Sequence, residues 1–271
     1  MAINNRKLLL LCNPGFPGRN HVSCVPNVLQ RYKDYFMSPV GGAWIDGEYG
    51  EIIEEPQGMS VDQELTWLTG ILGEINRNAD YAMIVFVGHG DSYQGQDRLQ
   101  LSRGGIVHVS DFLPLQGQED IKRRTVIIDA CRSLQGGTPR QLILEQREYS
   151  GQGQIESDPC RTFYNELVEN CEPHTELIQS TSYGNVARVN QTRTGTAFSD
   201  AFFNALDVSN WNNQALGVRD GRLHKSTIDI LPQITAGMQS YGQVPQQSRL
   251  GKGNGDYPIY AVWRPVERRI K

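Results

Sequence analysis

Short apolar runs alternate along the chain with longer stretches in which apolar residues recur every three or four positions. The run Tyr81-Ala82-Met83-Ile84-Val85-Phe86-Val87 is nearly continuous and stops at Gly88. Such a run reads as a strand covered on both faces. Thr125-Val126-Ile127-Ile128, ending at Asp129, repeats the pattern, as does Glu176-Leu177-Ile178-Gln179-Ser180-Thr181. Lys7–Asn13 reads as a first strand, ended by Pro14 and Gly15. Between these runs, Val25, Val28, Leu29, Tyr32 and Phe36 share one helix face within Val25–Met37. Ser60 with Gln63 three residues on forms a capping box for a helix carrying Leu65, Leu68, Leu72 and Ile75. Further helices are expected at Arg161–Asn170, Thr196–Leu206 and Thr227–Tyr241. Ala43–Glu55 predicts a hairpin around Asp46-Gly47, Asp97–Val109 a second with Gly104-Gly105 at its turn, and Pro258–Val262 a last strand. Strands alternating with helices predict an α/β fold whose mainly parallel sheet is covered on both faces.

The remaining features narrow the class. With 38% hydrophobic and 21% charged residues, the chain has enough apolar material for a folded core. No sharp shift in composition divides the 271 residues, which are expected to form a single domain. A net charge of −4 lacks the basic excess of a nucleic-acid binder. No apolar run approaches the ~20 residues of a membrane helix. Leu8–Cys12 after Arg6 and Lys7 is too short for a signal peptide core, so a cytoplasmic location is expected. The five cysteines, Cys12, Cys24, Cys131, Cys160 and Cys171, form no CxxC pair. Neither a disulfide scaffold nor a zinc ribbon is expected, and no metal or other cofactor is implied. Ser133–Pro159, rich in Gly, Gln and charge, reads as a long flexible loop.

In open α/β sheets, ligands bind beyond the carboxyl ends of the strands. Two of the buried runs end in reactive residues: Val87-Gly88-His89-Gly90-Asp91 and Ile128-Asp129-Ala130-Cys131-Arg132-Ser133. If these strands are parallel neighbours, His89 and Cys131 emerge together as base and nucleophile. An imidazole beside a thiol raises the thiolate fraction and later protonates a leaving amine. Gly90, without a side chain, lets its N–H reach a developing oxyanion together with the N–H of Cys131. Taken singly, each residue has a plainer explanation: a histidine after a strand is commonly a surface group, and a lone cysteine a small buried hydrophobe. The other histidines, His21, His108, His174 and His224, are expected at the surface, and Cys12 in the core. Asp91 reads as a solvated loop carboxylate.

With these motifs in order, the sequence resembles the caspase-like cysteine peptidases of clan CD, peptidase C14: caspases, paracaspases and metacaspases. Their His-Gly strand end precedes a strand ending in the motif of the nucleophilic Cys. Here the two residues are 42 apart, against ~50 in caspases. Asp129-Ala130-Cys131 is similar to bacterial paracaspase-like and metacaspase-like members. Val107–Leu113, Ser180–Ala187, Gly195–Leu206 and Gln243-Val244-Pro245-Gln246 resemble further family elements, so the likeness runs from Lys7 to about Val262. It implies a caspase-like fold with a six-stranded sheet, and cysteine endopeptidase activity through Cys131 and His89. By the same resemblance Asp129 lines the pocket for the residue before the scissile bond and favours Arg or Lys. Asn27 stands where metacaspases carry a second acid, and the paracaspase glutamate near Val186 is absent. Ser180 and Thr181 lie beside the substrate groove. Arg19 and Arg188 lie near positions where caspases place arginines that bind an acidic residue.

The resemblance further implies a protein substrate and an activating protease or sensor protein. Arg140 and Arg147 in the long loop are candidate processing sites. A role in bacterial defence or cell death follows by analogy alone. The competing reading is a catalytically idle adaptor that keeps the fold in order to bind proteins. Retention of His89, Gly90 and Cys131 together argues against it.

Overall fold

The computed structural model describes residues 3–45, 51–114, 123–133, 157–190, 194–207, 222–251 and 255–263. In chain order the elements are β1 (Arg6–Asn13), α1 (Val25–Met37), β2 (Glu51–Glu54), α2 (Val61–Asn78), β3 (Tyr81–Gly88), β4 (Gly90–Tyr93), β5 (Gln96–Gln100) and β6 (Ile106–His108). There follow β7 (Arg123–Ala130), α3 (Ser157–Asn170), β8 (Thr175–Gln179), α4 (Ala197–Leu206), β9 (Arg222–Ser226), α5 (Thr227–Met238), β10 (Gln246–Leu250) and β11 (Pro258–Trp263). Six strands form the central sheet in the order β10-β8-β7-β3-β1-β2. All neighbours are parallel except β10, which runs antiparallel to β8 at one edge.

Alternation along the strands divides the core into two layers. Leu8, Leu10, Met83, Val85, Val87, Ile127 and Ile178 face one side, packed with residues of α1, α3, α4 and α5. Leu9, Leu11, Ile84, Phe86, Val126, Ile128 and Leu177 face the other, against Leu68, Leu72 and Ile75 of α2. This second layer also takes in Leu99 and Val107 of the small three-stranded sheet β4-β5-β6. Most of these side chains are essentially inaccessible, and each fully buried Leu, Ile, Val or Phe contributes about 1.5–3 kcal/mol. That double coverage is why β1, β3 and β7 read as continuous apolar runs rather than alternating ones.

Helix starts follow the local chemistry. Ser60 accepts from Gln63 N and Gln63 returns the bond to the Ser60 N–H, so the expected box opens α2. Thr196 caps α4 through Ser199 N at 2.9 Å. α5 ends at Met238, and a short 3₁₀ turn completes the expected segment to Tyr241.

Some expectations are corrected and others are extended. Glu51–Glu54 pairs parallel with β1 rather than forming the expected hairpin, and Asp46-Gly47 lies outside the described residues. Pro258–Trp263 joins β9 in a separate two-stranded ribbon, leaving the sheet edge to Gln246–Leu250, whose polar sequence carries no strand signal. The hairpin at Gly104-Gly105 gains a third strand, β4. His174 is fully buried rather than at the surface: its ring stacks on Tyr257 with centroids 4.2 Å apart, and Nε2 lies 3.1 Å from Glu176 Oε1. Glu172 O, 2.7 Å from Nδ1, supplies the second polar partner that permits this burial. Cys12 is only half-buried. Among the described residues no helix is long and apolar enough to cross a membrane.

Candidate active site

β3 and β7 are adjacent and parallel, and their last paired positions are Gly88 and Ala130. His89 and Cys131 are therefore each the first residue beyond the same rung of the ladder. The neighbouring strand ends bring the two motifs to one edge of the sheet, as the sequence predicts. Gly90 is held against the nucleophile loop. A Cβ there would sit 2.8 Å from Cys131 O and 2.9 Å from Arg98 O, distances real Cβ atoms do not show, so only glycine allows this approach.

Cys131 is half-buried, and its Sγ lies 3.8 Å from Ala187 O. Burial pushes the thiol above its ordinary value. The Ala187 carbonyl contact opposes this, Asp129 adds to it, and Arg188 opposes it. His89 is held below its ordinary value, first by burial; the carbonyls of Asn20 and Pro14 oppose this and His21 reinforces it. Nε2 is buried and makes no hydrogen bond of good geometry. At rest, thiol and imidazole are thus both biased to their neutral forms. The loop after β1 closes on the imidazole. At Gly15, φ is +82°, and a Cβ would lie 2.6 Å from both His89 Nε2 and Asn20 O.

Asp129 points to the α1–α4 side, with Thr196 Oγ1 donating to Oδ2. Oδ1 is buried without a hydrogen-bond partner. Burial raises the carboxyl to about 7; Thr196 and Ser180 hydroxyls oppose this and Asp200 adds to it. Cys24 is near enough to feel its charge. Asn27 lies exposed on the first turn of α1. Ser180 and Thr181 are buried at the end of β8. Ser180 N donates to Ile128 O at 2.8 Å and Oγ to Ala130 O at 3.3 Å. Arg188 acts electrostatically on Cys131, whereas Arg19 is exposed in the turn after β1. Arg140 and Arg147 lie outside the described residues.

The structure adds residues that the sequence alone did not single out. Arg132, directly after Cys131, is buried among four segments. Its guanidinium pairs with Asp97 Oδ2 of β5 at 2.7 Å, donates to Thr181 O at 3.1 Å, and donates to Gln246 Oε1 of β10. Its backbone N donates to Asn185 O at 2.9 Å. Asp97 also accepts from Ser92 and Gln179. Gln243 joins the two ends of the loop after β8, donating to Ser180 O at 2.8 Å and accepting from Arg188 N at 3.0 Å. Asp91, expected to be a solvated carboxylate, instead forms a two-bond pair with Arg98 at 2.9 and 2.7 Å. A charge directly after His89-Gly90, with its partner seven residues on across a hairpin, was the available signal for that pair. Among the described residues, no three His, Cys, Asp or Glu side chains converge as a metal site.

The caspase domain family of cysteine peptidases, peptidase C14, matches residues 28–250. The chain belongs to this family. A crystal structure of caspase-1 from Spodoptera frugiperda is similar at 14% identity with a TM-score of 0.48, covering 91% of this chain and 86% of that one. No curated protein sequence matches the chain.

Proposed function

We propose that this member of the family is an active cysteine endopeptidase with Cys131 as nucleophile and His89 as acid and base. The observation that carries the reading is the shared rung at the ends of β3 and β7. Substrate binding displaces water from the site, and His89 takes the Cys131 proton as sulfur attacks the scissile carbonyl carbon. The C–S bond forms, and the carbonyl oxygen takes the negative charge beside the Gly90 and Cys131 amides. Collapse of this intermediate breaks the C–N bond, and imidazolium returns the proton to the leaving amine. Water, activated by His89, then releases the acyl half as a carboxylic acid.

Asp129 supports selection of Arg or Lys before the scissile bond. A buried carboxyl with one unpartnered oxygen is completed by a guanidinium or ammonium, which also lowers its proton affinity. Arg188, close enough to act on Cys131, favours the opposite specificity, for an acidic residue. A panel of peptidyl coumarylamides ending in Arg, Lys, Asp or Ala decides between them. Hydrolysis of the Arg and Lys members, abolished in Cys131→Ala, supports the proposal. Hydrolysis of the Asp member reassigns the pocket to Arg188, and hydrolysis of none, before and after limited tryptic cleavage of the chain, removes the enzyme reading in favour of the adaptor. Processing at Arg140 or Arg147 and control by a partner belong to the same proposal. The chain incubated alone, with Cys131→Ala as control, reports self-cleavage as fragments in the wild type only.

A further inference from the structure

Beside His89 lies an open cavity of about 310 Å³, lined by His89, Gly90, Asp91, Arg98, Leu99, Gln100 and Ile106. Its walls come from β4, β5 and β6, on the α2 side of the central sheet. Asp129 points to the opposite side, where α1 and α4 pack. The cavity and the buried carboxylate therefore sit on different faces of the same sheet edge, with Cys131 two residues after Asp129 and level with His89 beyond the last paired rung. We propose that this cavity is the subsite for the first side chain beyond the scissile bond, and that it selects an uncharged apolar residue there. The inference rests on the peptidase reading above and extends it to the leaving half of the substrate.

The side of the cavity follows from the chemistry. The acid that protonates the leaving amine must lie within hydrogen-bond reach of that nitrogen. The leaving half thus passes on the His89 side, while the acyl half is held by sulfur on the Cys131 side. In the sheet order β8-β7-β3, the loop after β8 flanks Cys131 and the small sheet flanks His89. A backbone bond fixes the small sheet beside His89, Gln100 N donating to His89 O at 3.0 Å, and a second ties it to the loop after Cys131, Ser92 N donating to Ser133 O at 3.0 Å.

The selectivity follows from the walls. Asp91 and Arg98 are the two charged residues of the lining, and they satisfy each other through two bonds. Arg98 also lies 4.6 Å over the Tyr93 ring. Neither charge is left uncompensated for a charged substrate residue. Ile106 is 48% exposed, and the buried Leu99 also lines the cavity. Phe16, also exposed, packs on the adjoining turn, 3.6 Å from where a Cβ on Gly104 would stand. Exposed Ile106 and Phe16 offer an apolar substrate side chain a surface it would remove from water. The volume, at the low end of the ~300–1,000 Å³ of ligand pockets, suits one or two side chains rather than an extended segment.

The test uses two substrate types sharing the acyl half selected by the fluorogenic panel. One is the coumarylamide, which has no residue beyond the scissile bond. The other is a set of internally quenched peptides with Leu, Phe, Gly, Lys or Asp at the first position beyond it. The wild type is expected to cleave the Leu and Phe peptides at least tenfold faster than the Lys and Asp peptides in kcat/KM. Ile106→Asp should lower the ratio of Leu-peptide to coumarylamide hydrolysis about tenfold. Arg98→Ala leaves Asp91 uncompensated and should shift the preference toward Lys by a similar factor. A flat profile in the wild type, or an Arg98→Ala profile identical to it, overturns the subsite while coumarylamide hydrolysis keeps the peptidase reading. Hydrolysis of neither substrate type overturns both.

Discussion

Replacing Asp129 by Asn tests the electrostatics of the buried carboxyl. In the folded protein burial raises this group from 3.8 to about 7, against the Thr196 and Ser180 hydroxyls. Because the folded value lies above the unfolded one, the fold favours the protonated form. The contribution to stability is complete below about pH 3.8 and is lost as pH rises through about 7. Above that, the fold carries a buried carboxylate with Asp200 nearby. At about 1.36 kcal/mol per unit, the difference is on the order of 4 kcal/mol. Asn keeps an acceptor for Thr196 Oγ1 and carries no charge at any pH. Urea unfolding of wild type and Asp129→Asn between pH 4.5 and 8 should give curves that converge at the acid end. They should diverge by several kcal/mol at the alkaline end, with the variant more stable. Glu55, also raised to about 7, chiefly by burial, loses stability in the same window and leaves a residual slope in the variant that Glu55→Gln should reduce. Asp97 is lowered despite burial, by bonds from Arg132, Ser92 and Gln179, so its effect falls at more acid pH. Parallel curves for wild type and Asp129→Asn would refute the reasoning.

Two further outcomes are expected. Arg132→Ala leaves the Asp97 carboxylate without its cation and removes the bonds to Thr181 and Gln246; unfolding should become easier by about 3–5 kcal/mol, and Arg132→Lys, lacking the planar fork, should recover only part. Alkylation of Cys131 by iodoacetamide in the free protein should rise with pH beyond the ordinary thiol range, because burial holds the thiol protonated; a rate constant already maximal at neutral pH would indicate a preformed thiolate instead.

The fold and the shared placement of His89 and Cys131 were legible because they depend on local signals. β3 and β7 are covered on both faces, so their apolar runs stand out, and each run stops where a reactive residue begins. The caps at Ser60 and Thr196 are likewise written in adjacent residues. β10 escaped because an edge strand packed on one side tolerates the polar run Gln246-Gln247-Ser248-Arg249. Which strand a terminal segment joins is a long-range matter, so Pro258–Trp263 was legible as a strand but not as the partner of β9. The clamp around Arg132 joins residues 35 to 114 positions away and leaves no periodic trace. The burial of His174 depends on Tyr257, 83 residues later. Asn27, read from its place in a motif as the counterpart of a second acid, lies exposed on the first turn of α1.

The most direct measurement of the dyad is covalent capture. A peptidyl acyloxymethyl ketone ending in Arg is incubated with wild type, Cys131→Ala and His89→Ala, and the products are followed by intact mass and peptide mapping. The account predicts one adduct per wild-type chain, mapped to Cys131, none in Cys131→Ala, and capture slowed by two or more orders of magnitude in His89→Ala. An adduct on Cys12, Cys24, Cys160 or Cys171, or capture at Cys131 at the same rate without His89, would contradict it.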